Sequence, residues 1–206
     1  MNQTIYLIDD EPAILSSLSA LLGTVGWQIK TYNSALAFQQ SVGELHGLTG
    51  CMLLDIRMPG KTGLTLLDEW QRQGLVIPVI IMTGHANIDL CRRAFKNGAF
   101  EFLTKPIDAD LLFEAVGSAL ELQEKLQDRQ RKLRLMQGRL ATLTARENEI
   151  FEQIMQGSSS KEIARTFSLS PRTVEAHRAN IFAKLDVNSL PKLMSEYGEL
   201  ALLKKT

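Results

Sequence analysis

Acidic and polar side chains follow four short apolar runs of this sequence, at the point where each run ends. These residues are Asp9, Asp10, Asp55, Thr83 and Lys105. Three carboxylates brought together repel one another, and Mg²⁺, which prefers oxygen ligands and bridges readily to phosphate, would relieve that repulsion. One carboxylate could then act as a nucleophile on phosphorus while the lysine neutralises the transferring group. The pattern predicts a phosphoryl-accepting magnesium site; the alternative is ordinary turn-forming aspartates and a solvated lysine.

The elements that would position these residues alternate between strand and helix. Apolar runs predict strands at 5–8, 51–54, 79–82 and 100–103, and an alternating pattern predicts a further strand at 26–32. Segments with helical spacing of apolar residues separate them. About five such alternations over 115 residues predict an α/β doubly wound, five-stranded parallel sheet with helices on both faces, a flavodoxin-like fold. In such sheets ligands bind at the carboxyl ends of the strands, where the polar residues would converge.

Only helical patterns remain after about residue 111. An apolar stripe with charged flanks predicts a helix over 111–143, and Thr144 with Glu147 forms a capping-box pattern before the next helix. Ser159 or Ser160 can cap a helix over 161–167, and Ser170 before Pro171 is a strong helix start. The second domain is therefore predicted to be small and all-α, with a last helix from about 191 to 203.

A helix, a tight turn and a second helix, over 160–167, 168–170 and 171–185, form a helix-turn-helix pattern. That geometry places the second helix in the major groove of DNA. Its spacing puts Val174, His177, Ile181 and Leu185 on a packing face, and Arg172, Glu175, Ala176 and Ala179 on a reading face. The last helix carries a stripe of Leu193, Tyr197, Leu200 and Ala201, which predicts a dimer face or, alternatively, packing onto its own domain.

Charge and composition place the chain among globular proteins. Apolar residues make up 45% and charged residues 22%, and the formal net charge is zero. Residues 141–206 hold nine basic and eight acidic residues, so one copy should bind DNA weakly without sequence preference, and dimerisation would help. No run is long enough to span a membrane and no secretion signal is visible, which predicts a cytoplasmic protein. Cys51 and Cys91 read as small apolar residues.

Several of these segments resemble known families. The match to receiver domains of two-component response regulators covers about residues 3–120 and is carried by 9–12, 53–63, 83–85 and 102–106, which read DDEP, LLDIRMPGKTG, TGH and FLTKP. Residues 143–193 resemble the helix-turn-helix of the LuxR/FixJ family, especially at 161–164, 173–181 and 184–185. The order of the two domains resembles the FixJ subgroup.

The receiver resemblance implies a role for each pocket residue. Asp55 would be the residue phosphorylated by a sensor histidine kinase, and Thr83 and Lys105 would contact the phosphoryl group. Mg²⁺ would be held by Asp9, Asp10, Asp55 and the backbone carbonyl of Arg57. Phe102 would be the aromatic that turns inward as part of the switch, although a plain core aromatic is the alternative. The bond between Lys105 and Pro106 is expected to be cis.

The second resemblance implies which residues meet DNA. Lys161, Thr173 and Lys184 match positions that touch phosphates, and Glu175, Ala176 and Ala179 match positions that face bases; Arg172 is added from the reading face. Glu175 cannot bind phosphate but can accept from a cytosine amino group. The implied partners are double-stranded promoter DNA, RNA polymerase and, on phosphorylation or on DNA, a second copy of the chain.

The resulting hypothesis is a DNA-binding transcriptional regulator, an activator, controlled by phosphorylation of Asp55. Its parts are a receiver over 1–120, a helical linker over 121–140 and a LuxR-type domain over 141–206. It is not expected to be an enzyme beyond its own phosphorylation and dephosphorylation. One alternative is an aspartyl-phosphate phosphatase, but these usually carry a second Asp two residues after the nucleophile, where this chain has Arg57. Another is a constitutive DNA-binding protein whose receiver only dimerises.

Overall fold

The computed structural model describes residues 3–85 and 87–203, with all side chains in these ranges except those of His46, Glu199 and residues 201–203. The chain divides into two compact units, Met1–Gln127 and Asp128–Thr206. The division falls inside the segment 121–140. None of the helices described is long and apolar enough to cross a lipid bilayer.

The first unit contains a five-stranded parallel sheet in the order β2-β1-β3-β4-β5. Its strands are β1 (Thr4–Ile8), β2 (Gln28–Tyr32), β3 (Gly50–Asp55), β4 (Val79–Thr83) and β5 (Glu101–Thr104). The three central strands β1, β3 and β4 are buried along their whole length, as expected for parallel strands covered on both faces. The predicted fold class is confirmed.

Helices cover both faces of this sheet. They are α1 (Pro12–Gly23), α2 (Ala35–Val42), α3 (Gly63–Arg72), α4 (Ile88–Lys96) and α5 (Ala109–Leu140). Successive side chains of a strand point to opposite faces, so Ile5 and Leu7 join one core with α1 and α5, and Tyr6 and Ile8 join another with α2 and α3. Because all five strands run parallel, their carboxyl ends meet at one edge of the sheet.

Four further helices belong to the second unit: α6 (Ala145–Met155), α7 (Ser160–Thr166), α8 (Pro171–Leu185) and α9 (Leu190–Leu203). Ser159 and Ser170 cap α7 and α8, and Thr144 with Glu147 forms the predicted capping box at the start of α6. The core of this unit also includes Met136 and Leu140 from the last turns of α5.

The predicted dimer face on α9 is not available as an exposed surface. Leu193 and Tyr197 are fully buried and Leu200 is 6% exposed, all in the core of their own unit. The Tyr197 hydroxyl also donates a hydrogen bond to the Leu185 carbonyl oxygen at 2.9 Å. The apolar stripe therefore packs α9 onto its own domain, and that prediction is corrected; the side chain of Ala201 lies outside the described residues.

Candidate functional site

Asp9 and Asp55 lie side by side at the carboxyl edge of the sheet. Asp55 ends β3 and Asp9 directly follows β1, whose last residue, Ile8, pairs with Leu54 of β3. Asp9 is fully buried and Asp55 is 3% exposed. Thr83 ends the next strand, β4, and is also fully buried. The sequence-predicted convergence of these three side chains at one edge is therefore observed.

Lys105 supplies the positive charge of this pocket. Its Nζ atom lies 2.7 Å from Asp9 Oδ2 and 2.7 Å from Asp55 Oδ1, and 3.6 Å from Glu11 Oε1. The peptide bond that follows it, Lys105 to Pro106, is cis as expected. A single ammonium thus bridges two buried carboxylates.

Backbone groups hold the remaining carboxylate oxygens. The Glu11 amide donates to Asp9 Oδ1 at 3.0 Å and the Arg57 amide donates to Asp55 Oδ2 at 2.6 Å. Thr83 Oγ1 accepts from the His85 amide at 3.3 Å. Each side chain is therefore oriented by the turn that directly follows its strand, which limits its rotation.

Gly63 is a structural requirement of the pocket that was not predicted from the sequence. Its amide donates to the Ile56 carbonyl at 2.8 Å, and a Cβ atom at this position would overlap the backbone oxygen of Asp55. Only glycine lets α3 begin this close to β3. Its place eight residues after Asp55, at the start of a helix, is the sequence signal that could have indicated it.

Burial and pairing pull the pKa values of the pocket in different directions. Burial raises the pKa of Asp9, helped by the negative charge of Asp55, and the hydrogen bond from Lys105 only partly opposes this. Burial by itself would lower the pKa of Lys105, but its hydrogen bonds to Asp55 and Asp9 raise the pKa above the ordinary value. Lys105 therefore remains a cation throughout the physiological range, and Asp9 is a carboxylate in an unfavourable environment.

The predicted magnesium ligands are only partly assembled. Asp10 is half-buried, and among residues 3–85 and 87–203 no three His, Cys, Asp or Glu side chains are grouped closely enough to hold a metal ion. Asp9 and Asp55 nevertheless face one Nζ atom, so their oxygens can share a cation. Mg²⁺ is usually bound through one or two carboxylates, with waters and phosphate completing the shell, and this donor set fits it.

Phe102 lies on β5, half-buried against the core that contains Trp70. Its position agrees with both interpretations given above, a switch aromatic and a core residue.

The turn between α7 and α8 is held by contacts on both sides. Ser168 adopts a positive φ of 54°, and the Leu169 amide donates to the Ala164 carbonyl at 2.9 Å. Arg146 of α6 donates to the Phe167 carbonyl at 3.0 Å, and its guanidinium lies 4.3 Å from the centre of the Phe167 ring. The predicted helix-turn-helix is confirmed, and contacts from α6 and α7 hold its turn.

The second helix of this motif, α8, shows the two predicted faces. Val174, Ile181 and Leu185 are buried and His177 is half-buried. The residues predicted to face DNA are exposed: Lys161, Arg172, Thr173, Glu175, Ala176 and Ala179. The Glu175 carboxylate accepts a hydrogen bond from Ser160 Oγ and lies 4.0 Å from Arg178 Nε, so local partners already orient it.

Lys184 differs from the other predicted DNA contacts. Its Nζ atom lies 2.5 Å from Glu147 Oε2 and 3.2 Å from the Thr142 carbonyl oxygen. Glu147 is buried, and the hydrogen bond from Lys184, with those from Thr144, lowers its pKa to about 2. This placement disagrees with the prediction that Lys184 contacts phosphate, because its ammonium is committed to an internal carboxylate.

Comparison with known proteins adds a family match in each unit. Residues 5–117 match the response regulator receiver domain family, and residues 141–196 match the family of bacterial regulatory proteins of the luxR type. The transcriptional regulatory protein FixJ of Bradyrhizobium diazoefficiens is 38% identical over 191 residues, covering 92% of each chain. The transcriptional regulatory protein TdiR of Thauera aromatica is 37% identical, covering 93% of this chain and 83% of its own.

Two solved structures span nearly the whole chain. A low-resolution structure of the response regulator StyR superposes with a TM-score of 0.83 at 29% identity, covering 97% of this chain and all of that one. Full-length FixJ from B. japonicum superposes with a TM-score of 0.58 at 35% identity, covering 97% and 98%. The likeness therefore extends through both units and the order in which they occur.

Proposed function

Since the chain belongs to the response-regulator family, with a receiver and a LuxR-type DNA-binding domain, we propose that phosphorylation of Asp55 by a sensor histidine kinase controls its binding to promoter DNA. The observation that carries this proposal is the buried Asp55 carboxylate, held by the Arg57 amide and the Lys105 ammonium at the carboxyl edge of the sheet. The proposed boundaries are a receiver over 1–120, a linker over 121–140 and a DNA-binding domain over 141–206.

The proposed reaction uses the free lone pairs of the Asp55 carboxylate. One oxygen attacks the phosphorus of a phosphohistidine, the bond from phosphorus to the imidazole nitrogen breaks, and an acyl phosphate forms on Asp55. Lys105 neutralises negative charge on the transferring group, and the hydroxyl of Thr83 is placed to donate to a phosphoryl oxygen. Asp9, Asp10, Asp55 and the Arg57 carbonyl would hold Mg²⁺, which supplies further charge neutralisation when bound.

Phosphorylation changes the charge balance of a pocket whose ion pairs, among the residues described, all involve Lys105. It adds about −1.5 to −2 charge at Asp55, whereas Lys105 is shared between Asp9 and Asp55 in this structure. The ammonium must then redistribute toward the phosphoryl group. In the proposed switch, Thr83 follows the phosphate, Phe102 changes its packing, and the surface around them changes with it.

The exposed face of α8 is the proposed DNA reader. Arg172, Thr173 and Lys161 would contact phosphates, and Glu175, Ala176 and Ala179 would face bases. A homodimer on paired half-sites and contact with RNA polymerase complete the proposed activator, whose action on DNA places it in the cytoplasm. Because Leu193, Tyr197 and Leu200 of α9 are buried, the dimer surface would use other residues.

The test is DNA affinity with and without acetyl phosphate and Mg²⁺, on fragments selected from genomic DNA by the phosphorylated protein. We expect the treated wild-type protein to bind at least about fivefold more tightly, the lower end of typical coupling between two sites. Asp55→Asn should abolish that gain, while Asp68→Asn, at a half-exposed position on α3, should retain it. An Asp55→Asn protein that responds like the wild type would contradict the proposal, and steady-state turnover of small phosphate esters would favour the phosphatase alternative.

A further inference from the structure

Side chains from two other helices converge on the C-terminal end of α8. Arg139, in the last turn of α5, donates from Nη1 to the Leu185 carbonyl at 3.4 Å and from Nη2 to Asp186 Oδ2 at 2.6 Å. Tyr197 of α9 donates to the same Leu185 carbonyl. The last carbonyls of a helix have no partner within the helix, and cations near that end are favourable. Arg139 therefore supplies both a hydrogen-bond donor for the Leu185 carbonyl and a positive charge at this helix end.

A second set of contacts links the last turn of α8 to the segment between α5 and α6. Lys184 donates to the Thr142 carbonyl, two residues after α5 ends, and pairs with Glu147 in the first turn of α6. Arg139, Thr142 and Glu147 thus come from one short stretch of chain. All three act on the last turn of α8, at Lys184, Leu185 and Asp186.

The residues proposed to read DNA lie on the same helix, several turns before this end. These residues share one continuous α-helix of 15 residues, which packs through Val174, Ile181 and Leu185. A change in the position of the last turn of α5 would therefore reach the reading face through the contacts of Arg139 and Lys184 at the C-terminal end of α8. The first turns of α5 contribute Leu112 and Val116 to the core of the receiver unit, so the helix belongs to both units.

We propose that Arg139 is a positioning residue that couples α5 to the recognition helix α8, and that through it the state of the receiver alters DNA affinity. Lys184 has the same role and not that of a phosphate contact. This inference rests on the proposed function, since it requires DNA binding that depends on phosphorylation. It goes beyond it by naming the residues that carry the signal into the DNA-binding unit.

The experiment measures, in the full chain, the ratio of DNA affinities with and without acetyl phosphate and Mg²⁺. We expect Arg139→Ala to reduce the wild-type ratio about fivefold or to abolish it, a loss within the range of measured allosteric couplings. Arg134→Ala, at an exposed position on the same helix, is the matched control and should keep the full ratio. A merely structural role for Arg139 would weaken binding equally in both states and leave the ratio unchanged, which would overturn the inference.

A second variant covers the case in which Arg139→Ala fails to fold. Asp186 has a positive φ of 57°, a conformation that glycine adopts without strain, so Asp186→Gly removes the carboxylate partner and keeps the backbone. It should lower the ratio while the thermal unfolding temperature stays near that of the wild type. A full ratio in the folded Asp186→Gly protein would also contradict the inference. If the wild type itself shows no gain on treatment, the proposed function fails, and this outcome is distinct from a wild-type gain that both variants retain.

Discussion

Each unit of this protein contains a lysine paired with a buried carboxylate, and the pKa of the acid shifts in opposite directions in the two units. In the receiver unit Lys105 is 13% exposed and bridges Asp9 and Asp55. In the DNA-binding unit Lys184 is 35% exposed and meets one carboxylate, Glu147. Burial raises the pKa of Asp9, whereas the hydrogen bonds from Lys184 and Thr144 lower that of Glu147 to about 2.

The difference fits the roles proposed for the two sites, phosphoryl transfer at Asp55 and structural support at Glu147. Glu147 receives hydrogen bonds from the Thr144 amide, the Thr144 hydroxyl and Lys184, which together exceed the cost of its burial. Asp9 must share one ammonium with Asp55 and remains unfavourable as a carboxylate. Partly compensated charge of this kind is typical of functional sites, which tolerate unfavourable electrostatics for a reaction.

The largest expected effect comes from removing the shared cation. Lys105→Met leaves Asp9 and Asp55 buried without a counter-charge, and we expect the receiver unit to lose about 3 kcal/mol of unfolding free energy. Both tryptophans, Trp27 and Trp70, lie in this unit, so urea unfolding followed by tryptophan fluorescence reports on it alone.

The matched substitution in the second unit should cost less. Lys184→Met leaves Glu147 with its two hydrogen bonds from Thr144, so the expected loss is about 1 kcal/mol. This loss of unfolding free energy should appear in urea unfolding followed by circular dichroism, without a shift in the unfolding transition followed by tryptophan fluorescence. Equal losses for the two variants would remove the distinction between the pairs.

The contrast between the units also explains what the sequence could predict. The pocket of Asp9, Asp55, Thr83 and Lys105 was predictable because a parallel sheet brings all its carboxyl ends to one edge, whatever the details of packing. Asp10 is less buried than Asp9, and its place among the magnesium ligands stays a prediction. The position of Gly63 depends on how closely α3 approaches β3, which no local pattern specifies.

Contacts between residues that are far apart in the chain were harder to predict from the sequence. The stripe of Leu193, Tyr197 and Leu200 was visible, but helical spacing gives an apolar face without saying what covers it. The partner of Lys184 is 37 positions earlier and on another helix. The same limit applies to Leu140, whose stripe predicted a helix but not its packing, together with Met136, into the DNA-binding core.

A pH series tests the pair of Lys184 and Glu147. The pKa of Glu147 is about 2 in the folded chain, below its ordinary value of 4.5, so its stabilising contribution is complete above about pH 4.5 and is lost as the pH falls toward 2. Glu147→Gln should therefore destabilise the DNA-binding unit by roughly 1 to 2 kcal/mol at pH 7. The gap between variant and wild type, measured by urea unfolding with circular dichroism, should narrow below pH 4.5. A gap that is constant down to pH 3 would contradict this account of the pair.

The smallest expected effect has the opposite sign and belongs to the receiver. Because the pKa of Asp9 is raised in the folded chain, its ionised form opposes folding above that pKa, and the penalty disappears as the pH falls below the ordinary value near 3.8. Asp9→Asn should thus raise the unfolding free energy of the receiver by up to about 1 kcal/mol at pH 7, with a smaller gain at acidic pH. The same variant should incorporate less phosphate at Asp55 from acetyl phosphate. Tryptophan-detected unfolding measures the first effect and phosphate incorporation the second, with Asp68→Asn as the control for both. Asp9→Asn is expected to act like Glu147→Gln only if both ion pairs stabilise their units. A loss of receiver stability in Asp9→Asn would therefore contradict the distinction drawn between the two pairs.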